Sequence, residues 1–88
     1  MAERTVTLVN RRGLHARASA KFVTLAAGQS ATVEVEKDGA KVTGTSIMGL
    51  MMLGAAMGDT ITIRAEGDGA EAAVDALTAL VEDAFGEE

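Results

Sequence analysis

A single histidine, His15, sits in the stretch NRRGLHARAS (residues 10–19), which also holds three of the chain's eight basic residues and no acid. An imidazole can attack phosphorus, move a proton or ligate a metal, and its neighbours decide which of these is open to it. Arg17, two residues beyond, presents forked donors that suit phosphate oxygens. A strand-like stretch ends ahead of Gly13-Leu14, and good helix formers begin at Ala16. His15 is therefore expected at a helix N-terminus. There the first backbone N–H groups have no helical partner and the helix dipole offers partial positive charge. An anion attached to His15 would meet the amides of Ala16 and Arg17. Gly13 lets the backbone turn sharply and keeps the ring accessible. All of this suits a histidine that carries a phosphoryl group. A polar surface histidine at a helix start is the plainer reading of position alone.

Other chemistries lack their parts. One histidine without cysteine is too small a ligand set for zinc. No G-x-x-x-x-G-K-[ST] loop is present for a nucleotide hydrolase, and neither a nucleophile elbow nor a local acid accompanies His15. No cofactor and no metal are expected.

Charge narrows the partners. The net charge of -5 divides unevenly: residues 1–44 hold seven basic and four acidic side chains, and residues 45–88 hold one basic and nine acidic. Arg11, Arg12, Arg17 and Lys21 gather around His15. Nucleic acid is a poor partner, because Phe22 and Phe85 are the only aromatic residues and neither is interleaved with the basic cluster. A small anion or an acidic patch on another protein fits better. The longest apolar run, residues 47–58, is 12 residues, against the roughly 20 that a membrane span needs. The first residues, MAERTVTLVN, show no apolar leader run, so a cytoplasmic location without a membrane partner is expected.

Periodicity supplies the elements that must hold the histidine. Residues 4–9 alternate as a strand, with Val6 and Leu8 inward. Residues 16–27 read as a helix with an apolar stripe of Ala18, Phe22, Leu25 and Ala26, stopped by Gly28. Ala31, Val33 and Val35 mark a second strand, and Asp38-Gly39 a tight hairpin turn into a third at residues 40–43. Ser46 can cap a short apolar helix from Ile47 to about Leu53. Residues 60–66 alternate again, with Ile61, Ile63 and Ala65 inward. Asp68 and Glu71 resemble a capping box for a final helix with Val74, Leu77, Val81 and Phe85 at helical spacing. The order is β-α-β-β-α-β-α. One-sided alternation points to a four-stranded antiparallel sheet with three helices on its packed face, an α+β two-layer domain spanning residues 1–88.

The NRRGLHARAS stretch closely resembles the active-site motif of the HPr family, the histidine phosphocarriers of the bacterial phosphoenolpyruvate-dependent phosphotransferase system. TSIMGLMMLGAAMGDTITI, residues 45–63, resembles the family's second signature, at the expected distance downstream. Length and element order agree, so the likeness covers essentially the whole chain. The resemblance implies an open-faced β-sandwich and a carrier rather than an enzyme. His15 would take phosphate from enzyme I and pass it to enzyme II A-type proteins, with Arg17 as its active-site partner. It also implies Ser46 as a regulatory phosphorylation site, with an HPr kinase/phosphorylase as the partner that would act there. A monomer is expected.

Four positions depart from the family pattern. Ala18 stands where proline is usual in the first helical turn, which keeps the helix and leaves one more free amide. Thr45 replaces a frequent lysine, and Met52 and Met57 replace residues that are often polar or basic. The nitrogen-related regulatory branch is thus an alternative to the sugar-uptake branch. Four methionines between residues 48 and 57 exceed what one short helix can bury, and methionine suits adaptable binding surfaces. Ile47, Met48 and Met51 are the docking candidates, while Arg12 and Lys21 are expected to steer acidic partners. A ligand-sensing module with an unreactive His15, or an interaction domain using the methionines alone, would share these features.

Overall fold

Strand alternation sets the architecture. The computed structural model describes residues 1–87. Its elements are β1 (Ala2–Thr7), α1 (Ala16–Ala27), β2 (Thr32–Lys37), β3 (Ala40–Thr43), α2 (Ile47–Met52), β4 (Thr60–Glu66) and α3 (Ala70–Glu82), with a 3-10 turn at Ala84–Gly86. The strands pair antiparallel in the order β1-β4-β2-β3, so β4 runs between β1 and β2. Opposed residues share a face: Val6 lies beside Ile61, and Ile63 beside Val35, all buried. The other face carries Thr5, Thr62 and Arg64, whose guanidinium donates to Glu3 at 2.9 Å and to Glu36. Three helices cover the apolar face alone, which makes the expected open-faced α+β sandwich.

Packing follows the helical stripes. Ala18 and Phe22 of α1 are fully buried, with Ala26 close behind and Leu25 at the margin. Ala73, Val74, Leu77 and Val81 of α3 meet the sheet. The hairpin between β2 and β3 turns through Asp38 and Gly39, both at positive φ (51° and 85°), as the tightest hairpin turn demands. Leu50 alone pins α2 to the core; the rest of that helix is exposed or half-buried.

Several details correct the sequence reading. β1 lies two residues earlier than expected, because Ala2 finds a buried place opposite Ala65 while Val9 stays exposed. Gly28 ends α1, and does so in a right-handed conformation (φ -80°). No capping box opens α3: Gly69 occupies the cap position, and no side chain bonds the first turn. The helix stops at Glu82. Phe85 is fully buried, yet it gets there through the 3-10 turn, with Ala84 and Phe85 at φ 54° and 56°, and not as a further helical position. Among the described residues no helix is long and apolar enough to cross a membrane.

Candidate functional site

Two loops pressed together build the site. After β1, Leu8 continues the ladder, its N–H donating to the Asp59 carbonyl at 2.9 Å while its carbonyl accepts from Gly58 at 2.8 Å. Leu14 N–H then donates to the Ala55 carbonyl at 3.0 Å. Between these ties the chain reverses at Gly13, which has φ +62°. A Cβ there would stand 2.4 Å from the Ala55 oxygen and 2.8 Å from the Ala56 Cα. Glycine is therefore required twice over, by conformation and by close approach. Asn10, only 1% exposed, donates through Nδ2 to the Gly13 carbonyl at 2.8 Å and folds the loop back on itself.

The turn delivers His15 to the N-cap position of α1 in an extended conformation (φ -79°, ψ -178°). Its Nδ1 accepts a hydrogen bond from the Arg17 backbone N–H at 3.2 Å. A backbone amide pointing at Nδ1 disfavours a proton there, so the arrangement favours the neutral ring with its proton on Nε2. On that opposite side Glu87 waits: its Oε2 lies 2.5 Å from Nε2. The ring is one-fifth exposed. A group bonded to Nδ1 would lie against the free amides of the first turn, with Arg17 beside it.

Basic side chains surround the ring as the sequence suggested. Arg11, Arg12, Arg17 and Lys21 line the hollow over His15, together with Gly86 and Glu87. Their tasks differ. Arg11, Arg12 and Arg17 are exposed and make no ion pair among the described residues. Lys21, by contrast, donates from Nζ to the Phe85 carbonyl at 2.6 Å, which engages it with the C-terminal turn as well as with solvent. The Glu87 carboxyl is held below its ordinary value mainly by the hydrogen bond from His15, against an opposing loss of hydration. A second bond from Asn10 Nδ2 to Oε1, 3.2 Å, pulls the same way.

The second motif lies alongside. Ser46 Oγ accepts from Gly49 N–H at 2.9 Å and caps α2. Ile47, Met48 and Met51, the docking candidates, are exposed. Met52 at 79% and Met57 at 60% are more exposed still than Met51 at 40%, so the apolar surface is wider than the pattern indicated. Packing of Gly13 against Ala55 and Ala56 sets the loop beyond this helix directly against the loop that carries His15.

Sequence reasoning misses two members. Asn10 belongs to the motif, but nothing marks a polar residue at a strand end as buried. Glu87 is 72 residues from His15 and follows no spacing rule; only the reversal at Ala84–Gly86 brings it back.

Known proteins match nearly the whole chain. The PTS-HPr family model, described as the PTS HPr component phosphorylation site, matches residues 2–83. Phosphocarrier protein HPr of Cupriavidus necator is 45% identical over 87 residues, covering 99% of this chain and 98% of that protein. Phosphocarrier protein NPr of Shewanella violacea is 44% identical over 85 residues, covering 97% of this chain and 93% of that one. The crystal structure of HPr-C-His from Thermoanaerobacter tengcongensis superposes with a TM-score of 0.95 at 48% identity, covering 100% of this chain and 99% of that chain.

Proposed function

The chain belongs to the HPr family of phosphotransferase-system phosphocarriers, and from that premise we propose that His15 takes a phosphoryl group from phosphorylated enzyme I on Nδ1 and passes it to an enzyme II A-type protein. The observation that carries the reading is the hydrogen bond from the Arg17 amide to Nδ1. It identifies the nitrogen whose lone pair is available, and it sets that nitrogen where phosphoryl oxygens find donors. As the lone pair turns to phosphorus, the Arg17 amide is released to join that of Ala16 at the equatorial oxygens, and the Arg17 guanidinium adds a charged contact. The donor's bond to phosphorus breaks and its electron pair returns to the donor. Onward transfer reverses the step: the N–P pair returns to Nδ1 as the acceptor attacks. Little covalent work is asked of the protein, so positioning and charge supply the catalysis.

Residues 1–88 act as one carrier domain in the cytoplasm, and a single copy suffices for each step. Ile47, Met48, Met51 and Met52 form the apolar floor on which enzyme I and the acceptor dock in turn. Arg11 and Arg12 draw acidic partners in over longer range. Ser46, half-buried at the cap of α2, is the regulatory position: phosphate placed there by an HPr kinase/phosphorylase would set about two negative charges beside Ile47 and Met48 and oppose docking. A regulatory carrier of the nitrogen-related branch is the second reading, kept open by the nearly equal identity to an NPr, 44% against 45% for an HPr.

The test is transfer itself. Enzyme I with phosphoenolpyruvate is expected to add one phosphoryl group, unstable in acid and comparatively stable in base, to the natural chain and none to His15→Ala. Labelling of His15→Ala at the natural level would refute the assignment. Chasing the labelled protein with sugar-branch and nitrogen-branch A-type acceptors decides between the two readings.

A further inference from the structure

We propose that Glu87 is a positioning residue for phosphoryl transfer: its carboxylate holds the Nε2–H of His15 and so reserves Nδ1 for phosphorus. The proposal rests on the reading of His15 as the carrier and adds a residue that neither motif contains. Four observations bear on it. Glu87 Oε2 stands 2.5 Å from Nε2, a short contact between a ring nitrogen and a carboxylate. The carboxylate is held from a second side, by Nδ2 of the buried Asn10 at 3.2 Å. It is the one carboxylate among the described residues that line the hollow, where Arg11, Arg12, Arg17 and Lys21 are the other charged groups. The chain also goes to unusual lengths to bring it there.

Ala84, Phe85 and Gly86 are consecutive residues at positive φ, 54°, 56° and 75°. Left-handed conformation is costly for alanine and more so for phenylalanine. Two fastenings hold the turn in place: Phe85 is fully buried, and its carbonyl accepts from Lys21 Nζ at 2.6 Å. Strain of this kind persists only where the surroundings over-determine it. The outcome of the turn is the placement of Glu87 at the imidazole.

The chemistry explains what the carboxylate contributes. A neutral imidazole exists as two tautomers, and only the one protonated on Nε2 has its lone pair on Nδ1. Glu87 and the Arg17 amide select the same tautomer from opposite sides of the ring. When Nδ1 bonds to phosphorus, Nε2 keeps its proton and the ring becomes positive; Glu87 then faces a full positive charge across that hydrogen bond. When the phosphoryl group departs, the N–P electron pair returns to Nδ1 and the ring is neutral again. No proton has to enter or leave Nε2 in either direction. Because Glu87 acts at the far nitrogen, it does not crowd the phosphoryl oxygens.

The experiment compares the full-length chain with Glu87→Ala and Glu87→Gln. Imidazole 15N shifts of the unphosphorylated proteins report the tautomer with no transfer needed. The natural chain and Glu87→Gln, whose amide oxygen still accepts from Nε2–H, are expected to hold the Nε2–H form; Glu87→Ala is expected to show a mixture. With phosphorylated enzyme I, the maximal transfer rate is expected to fall about tenfold in Glu87→Ala, with KM unchanged and a smaller loss in Glu87→Gln. A role confined to packing the C-terminal turn would lower the melting temperature and leave tautomer and rate alone. An Nε2–H tautomer in Glu87→Ala as pure as in the natural chain, with transfer within twofold, overturns the proposal. Failure of the natural chain to take phosphate on His15 would instead remove the carrier reading, and this proposal with it.

Discussion

Gly13→Ala separates the cost of a left-handed residue from the cost of two loops meeting. In Gly13 both terms apply: φ is +62°, and the added Cβ would stand 2.4 Å from the Ala55 carbonyl oxygen and 2.8 Å from the Ala56 Cα, both backbone atoms that cannot rotate away. The left-handed conformation alone costs alanine about 1 kcal/mol. Forcing backbone apart in a packed site adds about 2 kcal/mol. Gly39 provides the control, since its φ is +85° and a Cβ added there would meet nothing within 4 Å. For a domain of this size 1 kcal/mol moves the melting point by about 5 °C. Gly39→Ala should therefore lose about 5 °C and Gly13→Ala about 15 °C in thermal melts followed by circular dichroism. Transfer should separate them further, because the Gly13 carbonyl accepts from both His15 N–H and Asn10 Nδ2, and displacing it moves the reacting ring. Equal melting losses for the two variants would show that the loops yield freely, and the close-approach reasoning would be wrong.

Arg17→Ala should slow transfer at every ionic strength, whereas Arg11→Ala with Arg12→Ala should slow association only in dilute buffer, as screening shortens from about 10 Å at 0.1 M salt to about 3 Å at 1 M. Matching salt curves in a stopped-flow transfer assay would contradict that division. Ser46→Ala removes the acceptor of the Gly49 N–H and should cost about 1 kcal/mol; Ser46→Asp should keep the melting point but slow transfer from enzyme I. Rapid transfer by Ser46→Asp, and by authentic phosphoserine there, would leave the residue a cap alone. Glu87 titrates below its ordinary 4.5 in the folded chain, chiefly through the hydrogen bond from His15. A lowered carboxyl stabilises the fold above the unfolded value and loses that contribution as pH falls through the folded one. The melting difference between the natural chain and Glu87→Ala should thus vanish well below pH 4.5, the ordinary value, and a difference that persists in acid would count against the contact.

Much of this fold is legible in local pattern. α1 runs from Ala16 to Ala27 as its sequence implies, since its apolar stripe has one period and His15 lies outside it. β4 is legible in the alternation of Ile61, Ile63 and Ala65, because a one-sided sheet writes its buried face into every second residue. The turn at Asp38-Gly39 follows from backbone chemistry alone. What escapes reading depends on tertiary placement. Phe85 stands at helical spacing from Val81, yet the helix has already ended at Glu82, and burial of the ring is achieved by a reversal that spacing cannot reveal. Asp68 resembles a cap because its type and distance to Glu71 fit, but the chain enters α3 through Gly69. In the site, the residues within one turn of His15 are legible, and the charge cluster with them. Glu87 is not, and Lys21 reads as a free charge because its carbonyl partner lies 64 residues away.

Nδ1 of His15 is the atom that carries the phosphoryl group in the proposed transfer, and the bond can be observed directly on it. Protein carrying 15N in its imidazole, phosphorylated with enzyme I and phosphoenolpyruvate and held in mild base, should show phosphorus coupled to Nδ1 in the nuclear magnetic resonance spectrum. Addition of an A-type acceptor should erase that coupling and restore the neutral ring with its proton on Nε2. Phosphorus coupled to Nε2, or found on any residue other than His15, would contradict the account.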